Sequence, residues 1–318
     1  MSARRGGALA ATIALLAATM AAATARAGEG TGEATAERRW LPEGVVYEPY
    51  LAEVRHPGFA ATVLAVTDED DPRGERGDLR FGLKLGGRFG LLRTATGGGG
   101  GHEEADRAPR RLWQLSFEAG FYGQFDIESS LDNLGWDGLY GLVLATARAD
   151  RSGPALRLAV NHISSHVGDE YAERTGRRRI GYTREELALG MALRPTPRWR
   201  TYAEAAWGYV LRAEDSAGRD LQAPGRVQAG VEYEAPGSVG RTGRWGLYAA
   251  VDANAWEERD WSPSVTVEAG LAAPVGDDRR WRVGVAWYDG QLPVGELFQV
   301  DESYALAGVW LDLERPAR

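Results

Sequence analysis

From Phe59 onward the chain repeats one pattern. Segments of roughly 10 to 14 residues alternate apolar with polar or small side chains, and turn formers separate them. In one segment Leu115, Phe117, Ala119, Phe121 and Phe125 share a parity. Gln114, Ser116, Glu118, Tyr122, Gln124 and Asp126 take the other. Val227, Ala229, Val231 and Tyr233 likewise oppose Gln228, Gly230, Glu232 and Glu234, and Trp281, Val283, Val285 and Trp287 oppose Arg282, Gly284 and Tyr288. The side-chain period of a strand is two, so each segment has one apolar and one polar face. About twelve such segments begin near residues 59, 79, 111, 137, 154, 182, 198, 225, 244, 262, 281 and 303. The count is ten if the first, weakest segment drops out.

A soluble sandwich also alternates, but three features favour an all-β, closed antiparallel transmembrane barrel. The segments reach the 9 to 11 or so residues that a tilted membrane strand needs. Charges crowd the polar faces and nearly avoid the apolar ones. Trp113, Trp136, Trp199, Trp245, Trp256, Trp261 and Trp281 gather near segment ends, as interfacial girdles would. Strands in lipid must pair every backbone group, which closes the sheet.

Composition agrees once it is divided by parity. The chain has 318 residues, 44% hydrophobic and 26% charged, with a mean hydropathy of −0.35. No apolar run in the mature part reaches the 18 or so residues of a membrane helix, which excludes a polytopic helical protein and leaves a barrel open. A net charge of −8 argues against nucleic-acid binding. The absence of Cys removes disulfides, zinc thiolates and thiol nucleophiles. Of 37 basic residues only Lys84 is Lys.

Arg4 and Arg5, the apolar stretch Ala8 to Ala25 and the Ala25-Arg26-Ala27 site predict a secretory signal peptide over residues 1–27. Residues 28–58 are expected to be irregular, with breakers at Pro42, Pro49 and Pro57, and residues 59–318 to form the barrel. Export and barrel together place the protein in the outer membrane of a Gram-negative bacterium. Ala95 to Pro109, with Gly97 to Gly101, reads as a flexible loop, and 166–181 as a second long connection. Arg80, Lys84, Arg88, Glu118, Arg157, Glu204, Glu232, Asp252 and Arg282 fall on the inner face. Their mixed signs predict a filled lumen rather than a conduction path.

One dense polar cluster breaks the outer band. Leu156, Leu158 and Val160 continue on the same parity into His162, Ser164 and His166. Thr183 and Glu185 share the parity of Leu187, Leu189, Met191 and Leu193 on the next segment. Antiparallel neighbours point to the same face, so Glu185 falls opposite His162 or Ser164. A hydroxyl, an imidazole and a carboxylate then meet on the outer wall, the set needed for serine hydrolysis of a lipid ester. The bland reading is a capped hairpin end that binds lipopolysaccharide: Arg174 and Arg177 to Arg179 suit phosphate, and Asp169 and Glu170 are a candidate calcium pair.

The spacing of His162 and Ser164 resembles that of outer-membrane phospholipase A and of the outer-membrane lipid A deacylase. That resemblance implies His162 as base and Ser164 as nucleophile, with Glu185, or Thr183 as the weaker candidate, as third member. The phospholipase pattern has Asn-Gly after the Ser; here Ser165-His166 follows. A longer resemblance, carried by Ser164-Ser165-His166-Val167-Gly168-Asp169-Glu170-Tyr171 and Tyr182-Thr183-Arg184-Glu185, is to an uncharacterised family of exported bacterial proteins. It implies a shared barrel and carries no established activity with it. A lipid esterase and a non-enzymatic barrel (a narrow porin or a structural, lipopolysaccharide-binding protein) are the two readings carried forward.

Overall fold

The structure is a computed structural model that describes residues 37–69, 77–96, 110–213, 220–240, 244–276 and 279–313. The expected signal peptide, the glycine run and His102 lie outside these residues. Thirteen strands follow in order: β1 (Glu37–Trp40), β2 (Phe59–Glu69), β3 (Leu79–Thr96), β4 (Arg111–Asp126), β5 (Asp132–Arg148), β6 (Ala155–Val167), β7 (Thr183–Thr196), β8 (Trp199–Arg212), β9 (Gly225–Val239), β10 (Trp245–Trp256), β11 (Pro263–Val275), β12 (Arg279–Gln291) and β13 (Asp301–Asp312). One short helix, α1 (Asp169–Thr175), stands between β6 and β7. Strands β2 to β13 are the twelve expected segments. Neighbours pair antiparallel, β13 pairs with β2, and β3 with β4, so the sheet closes.

Parity acts as predicted. Arg80, Arg88, Glu118, Arg157, Glu204, Glu232, Asp252 and Arg282 are buried in the lumen, while Leu187, Leu189, Met191, Val283, Val285 and Trp287 stand exposed on the outer wall. A buried charge is tolerable only when paired, and the lumen pairs its charges across strands. Arg157 bridges Glu118 (3.3 Å) and Glu204 (3.2 Å). Arg226 joins Glu186 (2.7 Å) to Glu204 (2.8 Å), and Arg80 joins Glu302 (2.6 Å) to Glu69 (2.7 Å).

The stretch before the barrel departs from the sequence reading in two ways. It contains a strand, β1, which pairs with β3 from Leu92 to Ala95. The chain then leaves the wall at Leu41, enters the lumen and rejoins the wall at Phe59. Tyr47, Tyr50, Leu51 and Ala52 are buried there. Arg200 donates to the carbonyls of Pro49 (2.8 Å) and Glu48 (2.6 Å) while pairing with Glu232 (2.9 Å). Leu51 N donates to Glu232 Oε1 (2.9 Å), Arg88 to Tyr47 O (2.8 Å), and Tyr50 Oη to Glu204 Oε2 (3.1 Å). The Tyr50 ring stacks on Tyr202 at 3.9 Å. Gly120 makes room for this plug, since an added Cβ would meet Pro57 Cβ at 2.8 Å.

The detour interrupts the wall. β2 covers β3 over Leu79 to Lys84 and β1 covers it over Leu92 to Ala95. Leu41 N reaches Leu91 O at 3.1 Å. Between them Leu85 to Gly90 pair with β4 alone among the described strands.

A second insertion closes the rim where β12 ends. Leu292, Val294, Leu297, Phe298 and Val300, in the β12–β13 connection, are all buried, packed with Tyr122, Leu134, Val167, Tyr171 and Tyr182. Plug and connection together fill most of the lumen, as the mixed charges of its wall predict. Arg200→Met would strand the Glu232 carboxylate and two plug carbonyls. A cost of about 3–5 kcal/mol is expected, read as a lower urea midpoint in detergent, with new protease cleavage within residues 43–57. An unchanged midpoint would mean that the plug is not held by this arginine.

Candidate functional site

β6 carries the sequence cluster at the rim with the inserted β12–β13 connection. Its register decides which residues meet. His162 lies directly opposite Tyr140 on β5 and Glu185 on β7; Ser164 lies opposite Gly138 and Thr183; His166 lies opposite Trp136. Of the two registers that parity allowed for Glu185, the structure takes the one facing His162.

On the outward face His162 Nδ1 lies 2.6 Å from Glu185 Oε1. The imidazole also stacks on Tyr140, with ring centroids 4.5 Å apart. Both His162 and Glu185 are about four-fifths buried, with side-chain exposures of 18% and 24%. A carboxylate at Nδ1 favours the tautomer with the proton on that nitrogen, which leaves Nε2 as a lone pair. A fixed imidazole with a free basic nitrogen is what a general base requires.

Ser164 is the next outward position of β6. Its Oγ leans over Gly138, where an added Cβ would lie 3.5 Å away. The missing side chain leaves the hydroxyl open on the β5 side. Among the described residues no hydrogen bond joins Ser164 Oγ to His162. The two share a face at successive positions, and rotation about the serine Cα–Cβ bond changes their separation. Trp136 and His166 bound the site toward the rim, with centroids 4.5 Å apart.

The rest of the cluster has a different task. Ser165 faces the lumen, fully buried, and its Oγ accepts from Glu296 N (2.9 Å) and donates to Trp136 O (3.4 Å). Asp137, also turned inward, accepts from Gly295 N (2.8 Å) and pairs with Arg55 of the plug (3.6 Å). Val167 and Tyr171 pack on the inserted connection. Gly168 passes so close to Asn133 that a Cβ would overlap its carbonyl. Burial raises the Glu296 carboxyl, an effect reduced by the N–H of Ile180, which donates to it at 3.3 Å. Half of the Ser164–Tyr171 motif is thus a latch that holds the rim closed.

Asp169 and Glu170 open α1, and Asp169 pairs with Arg179. No group of three or more His, Cys, Asp or Glu that could hold a metal exists among the described residues. Arg174 is committed to Asp132 (3.2 Å) and to the ring of Tyr171. The sequence reading missed Tyr140 and Gly138 because they belong to another segment and only the register brings them to His162 and Ser164.

A family model described as protein of unknown function (DUF1207) matches residues 17–310. No curated protein matches the chain. Among solved structures the chain is similar to the outer membrane phospholipase A from Escherichia coli, at 12% identity and TM-score 0.47, covering 81% of this chain and 94% of that one. It is also similar to the Salmonella typhi outer membrane phospholipase dimer with bound calcium, at 13% and 0.48, covering 84% and 96%. The NanC porin follows at 10% and 0.39, covering 80% and 100%.

The two adjacent serines should separate cleanly in stability measurements. Ser165→Ala leaves the Glu296 N–H buried without its acceptor and is expected to cost about 1–3 kcal/mol. Ser164→Ala, at the outer surface, should stay within about 0.5 kcal/mol. Urea titration of both variants in detergent checks the assignment, and equal midpoints would contradict the latch.

Proposed function

The chain belongs to the family described as protein of unknown function (DUF1207), and we propose that it is an outer-membrane barrel that hydrolyses acyl esters of membrane lipids at Ser164, His162 and Glu185. The observation that carries this reading is the 2.6 Å bond between His162 Nδ1 and Glu185 Oε1 on the outward wall, one position from a serine on the same face. Polar side chains facing hydrocarbon are costly and persist where they pair or serve a function. The pairing explains His162 and Glu185; the hydrolase explains Ser164 beside them as well.

The chemistry follows from position. Ser164 Oγ attacks the ester carbonyl of a lipid lying against the wall while His162 Nε2 takes its proton. Glu185 stabilises the imidazolium that forms. The same proton passes to the departing alcohol, and a water activated by His162 then releases the fatty acid and frees Ser164. Thr183, opposite Ser164, offers a hydroxyl donor to the developing oxyanion. Glu185 is the third residue of β7, so its pair with His162 lies toward the end of the wall where β7 begins. There an ester group and water meet. The substrate is a phospholipid or the acyl chains of lipid A.

The filled lumen disfavours the porin alternative. Purified barrel in mixed micelles should react with a long-chain fluorophosphonate and release fatty acid from phospholipid or from lipopolysaccharide. Ser164→Ala should abolish both signals with gel heat-modifiability intact, and His162→Gln should slow release about 10²–10⁴-fold. Label retained by folded Ser164→Ala, or no acyl release by the wild type from either lipid, would leave a non-enzymatic barrel.

A further inference from the structure

The interruption of the wall at Leu85 to Gly90 meets a cavity. Beneath it, between the plug and the barrel wall, lies a space of about 360 Å³ lined by Lys84, His56, Gly86, Phe59, Trp310 and Leu311, among others. Its size falls within the roughly 300–1,000 Å³ of small-molecule sites. Gly86 belongs to the part of β3 that neither β1 nor β2 covers. Phe59 begins β2, and Leu311 is its partner on β13. The cavity therefore reaches the seam in the wall, and the outward side chains there, Phe59, Leu85 and Phe89, are apolar and exposed.

One cation at the polar end of the cavity has carboxylates near it, Glu268 and Glu53 among them, but none in direct contact. Each carboxylate that lines the cavity has an arginine: Glu48 pairs with Arg194, Glu232 with Arg200, Glu234 with Arg280, and Asp312 with Arg280 and Arg282. Lys84 is the exception. Its ammonium donates to the Glu53 carbonyl (3.0 Å) and has no carboxylate within ion-pair distance among the described residues. Beside it His56, with only 10% of its side chain exposed, has its Nδ1 3.9 Å from the Glu53 carboxylate and a buried Nε2 that lacks any hydrogen-bond partner. Burial, then the charges of Arg88 and Lys84, hold this imidazole well below its ordinary value, so it is neutral at pH 7. An unpaired ammonium next to an unpartnered ring N–H or lone pair is a polar site without its occupant.

We propose that this cavity binds a single-chain carboxylate amphiphile, with the carboxylate at Lys84 and His56 and the acyl chain leaving through the seam at Leu85 to Gly90. Lys84 supplies a charge-assisted donor to one carboxylate oxygen, and His56 donates to the other in the tautomer with its proton on Nε2. A phosphate dianion would call for more uncompensated charge than one lysine supplies. The exposed apolar side chains at the seam, Phe59, Leu85 and Phe89, suit a chain that passes between the cavity and the bilayer. The site is separate from Ser164 and stands whether or not that serine is catalytic.

The test uses the full chain in a non-ionic detergent and 11-dansylamino-undecanoate as probe. Saturable binding of one probe per barrel is expected, with competition by dodecanoate that weakens as the chain is shortened to acetate. The methyl ester should compete at least about ten-fold less well, as loss of a charge-assisted bond implies. Lys84→Met should weaken binding about ten-fold or more. Gly58→Phe should block long chains only: an added Cβ there has no heavy atom nearer than 4.0 Å, so the backbone accepts it while the ring fills the seam. Ser164→Ala should bind as wild type. Equal competition by acid and ester, or undiminished binding by heat-modifiable Lys84→Met, would overturn the proposal, as would probe uptake without saturation.

Discussion

A charge that turns into this barrel has to find its partners inside the barrel, and for most of them the partner is a charge of opposite sign. The outer wall is apolar, and the plug and the β12–β13 connection bury most of the inward charges, which then need partners within the protein. This single requirement accounts for the chain of Arg157, Glu118, Glu204, Arg226 and Glu186, in which each group is shared between two neighbours on different strands. It also explains the plug. Glu232 and Arg200 satisfy each other and then use their remaining lone pair and donors on plug backbone that would otherwise be buried without partners. Wall and plug therefore hold each other in one arrangement.

The same accounting isolates the exceptions. The arginines that line the cavity are answered by carboxylates, and Lys84 is left with a carbonyl. On the outside the exception is His162 with Glu185, a pair that meets the cost of polarity in an apolar wall by bonding to itself. Both exceptions sit where the barrel touches lipid, one through the wall and one on it.

Much of this could be read from the sequence because a strand writes its two faces in alternate letters. The twelve spans, the inward set from Arg80 to Arg282 and the outward His162 and Ser164 all follow from parity, which is local. What parity cannot supply is register. It allowed Glu185 two partners, and hydrogen bonding along β6 and β7 selected His162. It is also silent where the backbone does not alternate. Residues 41–58 look irregular because they are neither strand nor helix, and their partners lie about 150 residues away at Arg200 and Glu204. The motif around Ser165 misled for a related reason. Its letters look like one cluster, yet alternate members face opposite sides, Ser164 outward and Ser165 into the latch.

The plug also sets an order of events. It precedes β2 in the chain, yet Glu204, Arg200 and Glu232, which receive it, belong to β8 and β9. Those strands must be paired before the pocket for Tyr50 exists. Contacts of such long sequence separation form late because the intervening loop must close first. Both ends of the plug attach at the seam between β1 and β2 along β3, so it can swing inward there without threading a closed ring. The segment that leads the barrel in sequence thus depends for its place on strands that follow it by about 150 residues.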